Sequence, residues 1–142
     1  MTDAQAAWLA ALVDGEGCVG IWRERRPKNR SGFRYYAALE VVNTCRALID
    51  AVSALLGGNT WVKDGRLKPK HKVVYVARIR RSVVGEVLRR IVPFLIVKPR
   101  QAEKVLEFCE ILESAPMRAS LVHDDLQRLY EQCKALNKRG MA

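Results

Sequence analysis

Residues Trp8–Gly17 read WLAALVDGEG. An apolar, helix-forming run stops here on two glycines and two acids. The C-terminal end of a helix carries partial negative charge, so Asp14 and Glu16 sit where a carboxylate is disfavoured. Thr2 or Asp3 can cap the helix, AQAAWLAALV fills it, and Gly15 and Gly17 are expected to end it. Ala7, Ala11 and Gly15 recur every four residues and line one side. Leu9, Leu12 and Val13 fall largely on other sides and can anchor the helix to a core.

A stripe of small residues lets a second helix approach closely. The chain has one such stripe, so the partner it implies is the same helix of a second copy in a two-fold dimer. Pairing would bring both copies of Asp14 and Glu16 to the axis, where like charge opposes ionisation. A divalent cation reverses that penalty, and Mg²⁺ binds through one or two carboxylates plus substrate phosphates. A plain helix end with two solvated acids fits the same spacing.

Downstream, CVGIWRER reads as a strand with Val19 and Ile21 on one face. RPKNRSG is a basic turn. FRYYAALEVVN is a second strand, with Tyr35, Ala37, Leu39 and Val41 alternating against Arg34, Tyr36, Ala38 and Glu40. Asn43 or Thr44 is expected to cap a short helix, CRALIDAVSALL, which Gly57 and Gly58 end. A second hairpin follows from NTWVKDGRL and HKVVYVARI, with a Lys/Arg-rich tip between Arg66 and Lys72. SVVGEVLRRIVPFLI is a helix interrupted at Pro93. Pro99 opens PRQAEKVLEFCEILES, and a last helix runs from about Leu121 to Asn137. The order predicts an α+β fold, αββαββα with additional C-terminal helices and an antiparallel sheet covered on one face. Residues 1–142 are expected to form one domain.

The uncovered face is expected to carry Trp22, Glu24, Arg26, Arg34, Tyr36, Glu40, Trp61, Lys63 and Tyr75. Lys28 and Arg30 lie in the first turn, and Lys68, Lys70 and Lys72 in the second. Aromatic side chains among cations mark a binding surface. A twisted antiparallel ribbon enters the DNA major groove, and strands of about ten residues rise roughly 33 Å at ~3.3 Å each, about one turn of duplex.

Charge agrees with that reading. The chain of 142 residues carries formal net charge +10, and residues 61–100 hold twelve basic against two acidic side chains. Acidic or neutral flanks surround this excess, the pattern of a polyanion-binding face rather than of a uniformly basic surface. No run of 18 apolar residues suggests a membrane span, and the start lacks the pattern of a secretory signal. Four scattered cysteines without a C-x-x-C pair, with only two histidines, argue against structural zinc and for a reducing, intracellular setting. No Ser-His-Asp or Cys-His set can be assembled, and no small-molecule substrate is expected.

LAALVDGEG, Leu9–Gly17, resembles the signature of the LAGLIDADG homing endonucleases. The order of elements strengthens the resemblance: the motif helix, a hairpin, VVNT, Gly-Gly, a second hairpin and PFLIVKPRQAE. The resemblance covers most of the chain, least securely after Glu113. It implies a homodimer, because one motif is present, that cuts both strands of a long, near-palindromic double-stranded DNA site and leaves short 3′ overhangs. It implies duplex lying in a saddle made by two sheets, with the motif helices over the central minor groove. Glu16, at the final acidic position, would hold the catalytic Mg²⁺, or another divalent cation such as Mn²⁺, one from each subunit. Asp14 would be structural. Asn43 would orient water or join the metal's outer shell, and Lys98 would lie near the scissile phosphate. Glu replaces the commoner Asp at the last acid, and Ala11 stands where the signature has Gly. Arg46 is a weaker match to a further basic position. The same fold also serves in non-cleaving nucleic-acid binders, such as intron maturases that assist splicing and DNA-binding regulators, which form the competing expectation.

Overall fold

The computed structural model describes residues 1–63, 71–114 and 122–138. Its elements are α1 (Asp3–Glu16), β1 (Gly17–Arg25), β2 (Phe33–Asn43), α2 (Arg46–Leu56), β3 (Thr60–Val62), β4 (Tyr75–Arg80), α3 (Ser82–Ile91), a 3-10 turn (Val92–Phe94), α4 (Pro99–Ser114) and α5 (His123–Leu136). The four strands form one antiparallel sheet in the order β1-β2-β4-β3. The fold class expected from the sequence, α+β with two hairpins and helices after each, is the one observed.

Helix α1 starts on a capping box: Thr2 accepts from the Gln5 backbone, and Gln5 accepts from the Thr2 backbone at 2.8 Å. Ala6, Leu9, Ala10 and Val13 recur at helical spacing and are fully buried against the sheet and α3. The helix does not stop at Gly15. It runs through Gly15 to Glu16, and Gly17 is its C-cap and the first residue of β1. Gly17 is required by close approach, since a Cβ there would lie 2.7 Å from Val13 Cα and 2.9 Å from Val13 O.

Buried Val19 and Ile21 of β1 and Tyr35, Ala37, Leu39 and Val41 of β2 face the helices, as the alternation predicts. Beneath them lie Ile49 and Val52 of α2, Val84 and Leu88 of α3, Val105 and Phe108 of α4, and Leu129 of α5. The exposed edge of β1 is tied down by α5's end, where Asn137 Nδ2 donates to Val19 O at 2.9 Å.

Two local expectations need correction. Helix α2 begins later than a cap at Asn43 or Thr44 requires: its N-cap is Cys45, with no side-chain cap. Asn43 Oδ1 instead accepts the Cys45 N–H at 2.8 Å, a local turn that competes with the helix start. Tyr75 does not lie on the uncovered face. It pairs with Asn43 in register with Ala77 and Val41, which places it on the helix side, packed against the core.

Candidate acidic centre and nucleic-acid interface

Lys98, just before α4, meets α1 where that helix ends. Its Nζ donates to Val13 O at 2.7 Å, a carbonyl that also accepts the Gly17 N–H, and to Asp14 O at 2.6 Å, both in the last turn of the helix. In return, the Asp14 carboxylate accepts the Ile96 N–H at 2.7 Å and the Lys98 N–H at 3.0 Å. An ammonium at the negative helix end and two backbone donors on the carboxylate offset the penalty on Asp14. Asp14 therefore works as a structural acid, fastening the segment before α4 to the motif helix.

Glu16 is left over. It is exposed, and among the described residues it makes no hydrogen bond or ion pair. It immediately precedes Gly17, which lies opposite Val41 in the β1–β2 ladder, two residues before Asn43. Glu16 and the Lys98 ammonium thus lie at the end of α1, where it becomes β1, and half-buried Asn43 ends β2 two residues beyond the partner of Gly17. No group of three or more His, Cys, Asp or Glu side chains able to hold a metal occurs among the described residues.

From this junction the uncovered sheet face runs outward in cross-strand rows. Cys18, Glu40 and Arg78 form one row, Gly20, Ala38 and Arg80 the next, then Trp22 with Tyr36, then Glu24 with Arg34. Trp61 lies opposite Val76 on the same face, with Lys63 two residues on. Cation–π contacts stitch the rows: Arg78 Cζ lies 5.6 Å from the Trp61 ring centre and Arg80 Cζ 5.4 Å from that of Tyr36. Trp22 leans across Gly20, where a Cβ would come within 3.0 Å of its ring. Arg26 bonds Glu24 at 3.0 Å, both exposed.

Lys28, Arg30, Lys63 and Lys72 are exposed cations, whereas Lys68 and Lys70 lie outside the described residues. Glu40 is on the expected face but is only 8% exposed, covered by its ion pair with Arg78. Burial pushes the Cys18 thiol above its usual pKa, with Glu40 adding to the shift and Lys98, Arg78 and Lys63 opposing it. The inner end of the face is thus within the field of three cations.

Sequence reasoning missed Arg78 and Arg80. The signal was present in YVARIR: if Tyr75 faced outward, Ala77 and Ile79 would do so too, leaving Arg78 and Arg80 in the core. The opposite parity satisfies all four.

On α1, Ala11, Gly15 and Trp8 are exposed and Ala7 is half-buried, so the small-residue stripe faces away from the chain's own core. A Cβ on Gly15 would meet nothing within 4 Å. Ile96 is 86% exposed and Val97 54%, beside the end of the same helix. Among the described residues no helix is long and apolar enough to cross a membrane.

No protein-family model and no curated relative matches the sequence. Solved structures do. The homing endonuclease I-CvuI in complex with the I-CreI target matches at TM-score 0.76 and 20% identity, covering 98% of this chain and 86% of that one. The archaeal intron-encoded homing endonuclease I-Vdi141I, complexed with DNA, matches at TM-score 0.80 and 19% identity, over 97% and 87%. The LAGLIDADG meganuclease I-AabMI, bound to uncleaved DNA, matches at TM-score 0.66 and 15% identity, over 87% of this chain and 44% of that one. With TM-scores up to 0.80 over nearly the whole chain, these comparisons establish the architecture: this chain has the LAGLIDADG homing endonuclease fold.

Proposed function

We infer that the chain is a site-specific DNA endonuclease acting as a homodimer, with a divalent cation, on both strands of a long, near-palindromic site. The observation that carries this reading is the division of labour between the two acids. Asp14 is consumed by backbone N–H groups, while Glu16 is held, exposed and unpartnered, at the inner end of an arginine- and aromatic-lined sheet face.

The donor chemistry fits a hard cation only in an assembly. One free carboxylate per chain is too few for an all-protein cage, but two chains and DNA phosphates supply the mixed oxygen set that Mg²⁺ takes. A bound divalent ion would offset charge on the attacking and leaving oxygens of phosphodiester hydrolysis. Glu16 offers the carboxylate. Lys98 spends two of its three ammonium donors on α1 carbonyls and keeps one to face a phosphate oxygen. Asn43, whose Oδ1 is engaged by Cys45, keeps its amide N–H₂ to orient water. The exposed Ala7–Ala11–Gly15 stripe, flanked by Trp8, Ile96 and Val97, supports close packing of two α1 helices. The expected product has short 3′ overhangs.

The test uses the host DNA on either side of the reading frame, joined without it. With Mg²⁺ or Mn²⁺ the dimer is expected to make one double-strand break. With EDTA it should not cut, and the E16Q variant should bind the same duplex without cutting. Metal-independent RNA binding with no nicking of any duplex would overturn the reading in favour of a maturase or regulator. Full cutting by E16Q would remove Glu16 from the role.

A further inference from the structure

A carboxylate is out of place on a surface meant for a polyanion, yet Glu40 occupies the middle strand of the uncovered face. It is buried, and its Oε2 accepts Arg78 Nε at 2.6 Å and also Arg78 Nη2. This uses one edge of the guanidinium and leaves Nη1 and the second Nη2 hydrogen free. Trp61 stands over the same guanidinium, 5.6 Å from ring centre to Cζ. The Arg78 head is thus held from two sides, with its terminal Nη1/Nη2 fork unengaged among the described residues. Other arginines of the face, such as Arg34 and Arg80, have no carboxylate partner among the described residues.

A guanidinium fork also binds phosphate bidentately, but a contact made through charge alone does not require a side chain held from two sides. Orientation of this kind suits a planar partner with two parallel acceptors, and guanine presents O6 and N7 in that geometry in the major groove. Glu40 cannot itself accept from a cytosine amine, since it is buried beneath Arg78. Resting on the DNA-binding reading above, we propose that Arg78, positioned by Glu40 and Trp61, is a specificity-determining residue that reads one guanine in each half-site. Its row lies toward the α1 end of the face, with Lys63 of the outer strand two rows farther in. Cys18, across from Glu40, lies two residues from Glu16, the last residue of α1. The guanine therefore belongs to the inner part of the half-site that the sheet contacts.

The experiment enriches bound duplexes from a randomised 30-base-pair pool with the full chain in Ca²⁺. Every single-base-pair variant of the enriched site is then titrated against wild type, R78K and the double variant E40Q/R78Q. The double variant removes both charges together, so no buried carboxylate is stranded, and thermal melting reports that it folds. Wild type is expected to select a G·C pair at one inner, two-fold-related position, whose replacement lowers affinity ten-fold or more. R78K and E40Q/R78Q should lose discrimination at that position and keep it at every other. Uniform weakening across all variants would assign Arg78 to a phosphate and overturn the proposal, as would an unchanged pattern. If folded wild type enriches no sequence at all, the DNA-reading function itself fails, a result distinct from either of these.

Discussion

Asp14 and Lys98 hold each other in both directions: the Lys98 backbone N–H donates to Asp14 Oδ1 at 3.0 Å, and its ammonium donates to Asp14 O at 2.6 Å. Eighty-four residues separate them in the chain, so the pair ties the motif helix to the start of α4. The two halves of the clasp should fail differently. D14A removes the acceptor for two backbone donors and should cost about 2 kcal/mol of stability, since hydrogen bonds to a charged group contribute roughly 1.5–3 kcal/mol together with any orphaned donor. K98M leaves that acceptor in place but removes the ammonium that the proposed reaction sets against the phosphate. It should bind target DNA nearly as wild type does, and lower the single-turnover cleavage rate about 100-fold or more, the typical loss when one electrostatic stabiliser is deleted. Urea melts separate the first effect, and gel-shift against cleavage time courses the second.

Gly15 and Gly17 flank Glu16 and should respond in opposite ways. A Cβ at Gly17 would strike Val13 backbone at 2.7 Å and Glu40 O at 3.1 Å, none of them able to swing aside. G17A should therefore cost about 3 kcal/mol, at the upper end of overpacking penalties. Gly15 has open space within its own chain, so G15A should gain ~0.5–1 kcal/mol of helix stability in an isolated subunit. If that open space is where the partner helix packs, G15L should leave the subunit folded while weakening the dimer at least ten-fold. Sedimentation equilibrium checks this. A G15L protein that dimerises as tightly as wild type would place the interface elsewhere.

Elements governed by local periodicity were legible in the sequence: the capped α1, the alternating β1 and β2, and the glycine stop after α2. Parity errors arose where a single conspicuous residue outweighed its neighbours. Tyr75 resembled the aromatic residues of the open face, but Ala77 and Ile79 decide which side of β4 is buried. Features that depend on register between distant segments carried no local signal. The Glu40–Arg78 pair spans 38 positions and the Asp14–Ile96 bond 82. Asn43 was assigned as a cap from type and position, whereas its hydrogen bond to Cys45 holds the residue before the helix. Its assignment to catalysis rests on position alone in both readings.

Binding should be strongly salt-dependent. Arg26, Lys28, Arg30, Arg34, Lys63 and Lys72 are six exposed cations on or beside the open face of each chain. Each phosphate they neutralise releases counterions, and neutralising 6–10 phosphates reduces affinity by about 10³–10⁵ between 50 and 200 mM salt. A plot of log affinity against log salt should therefore have a slope of about −5 or steeper for the dimer. Replacing Lys28 and Arg30 with Gln should make it shallower by about 1 for each phosphate that is no longer neutralised. An affinity indifferent to salt would point to a surface for protein partners.

The two most deeply buried thiols set a different pH limit. Burial pushes Cys109 and Cys133 up to about 11, because the thiolate loses its hydration inside the core. Unfolding returns each to an ordinary value near 9. Between these values the unfolded chain has released protons that the folded chain retains, so stability falls as pH rises from about 9 to about 11. Below pH 9 both states are protonated and these groups contribute no slope. The full effect is on the order of 2 kcal/mol per thiol, and C109A and C133A should each flatten the alkaline limb of a plot of unfolding free energy against pH. The same burial predicts an order of labelling. Iodoacetamide at pH 8 should modify exposed Cys45 first and reach Cys109 and Cys133 only after urea unfolds the chain. Rapid labelling of Cys133 in the native protein would mean that α5 detaches from β1, since Cys133 Sγ and Asn137 both bond Val19 O there.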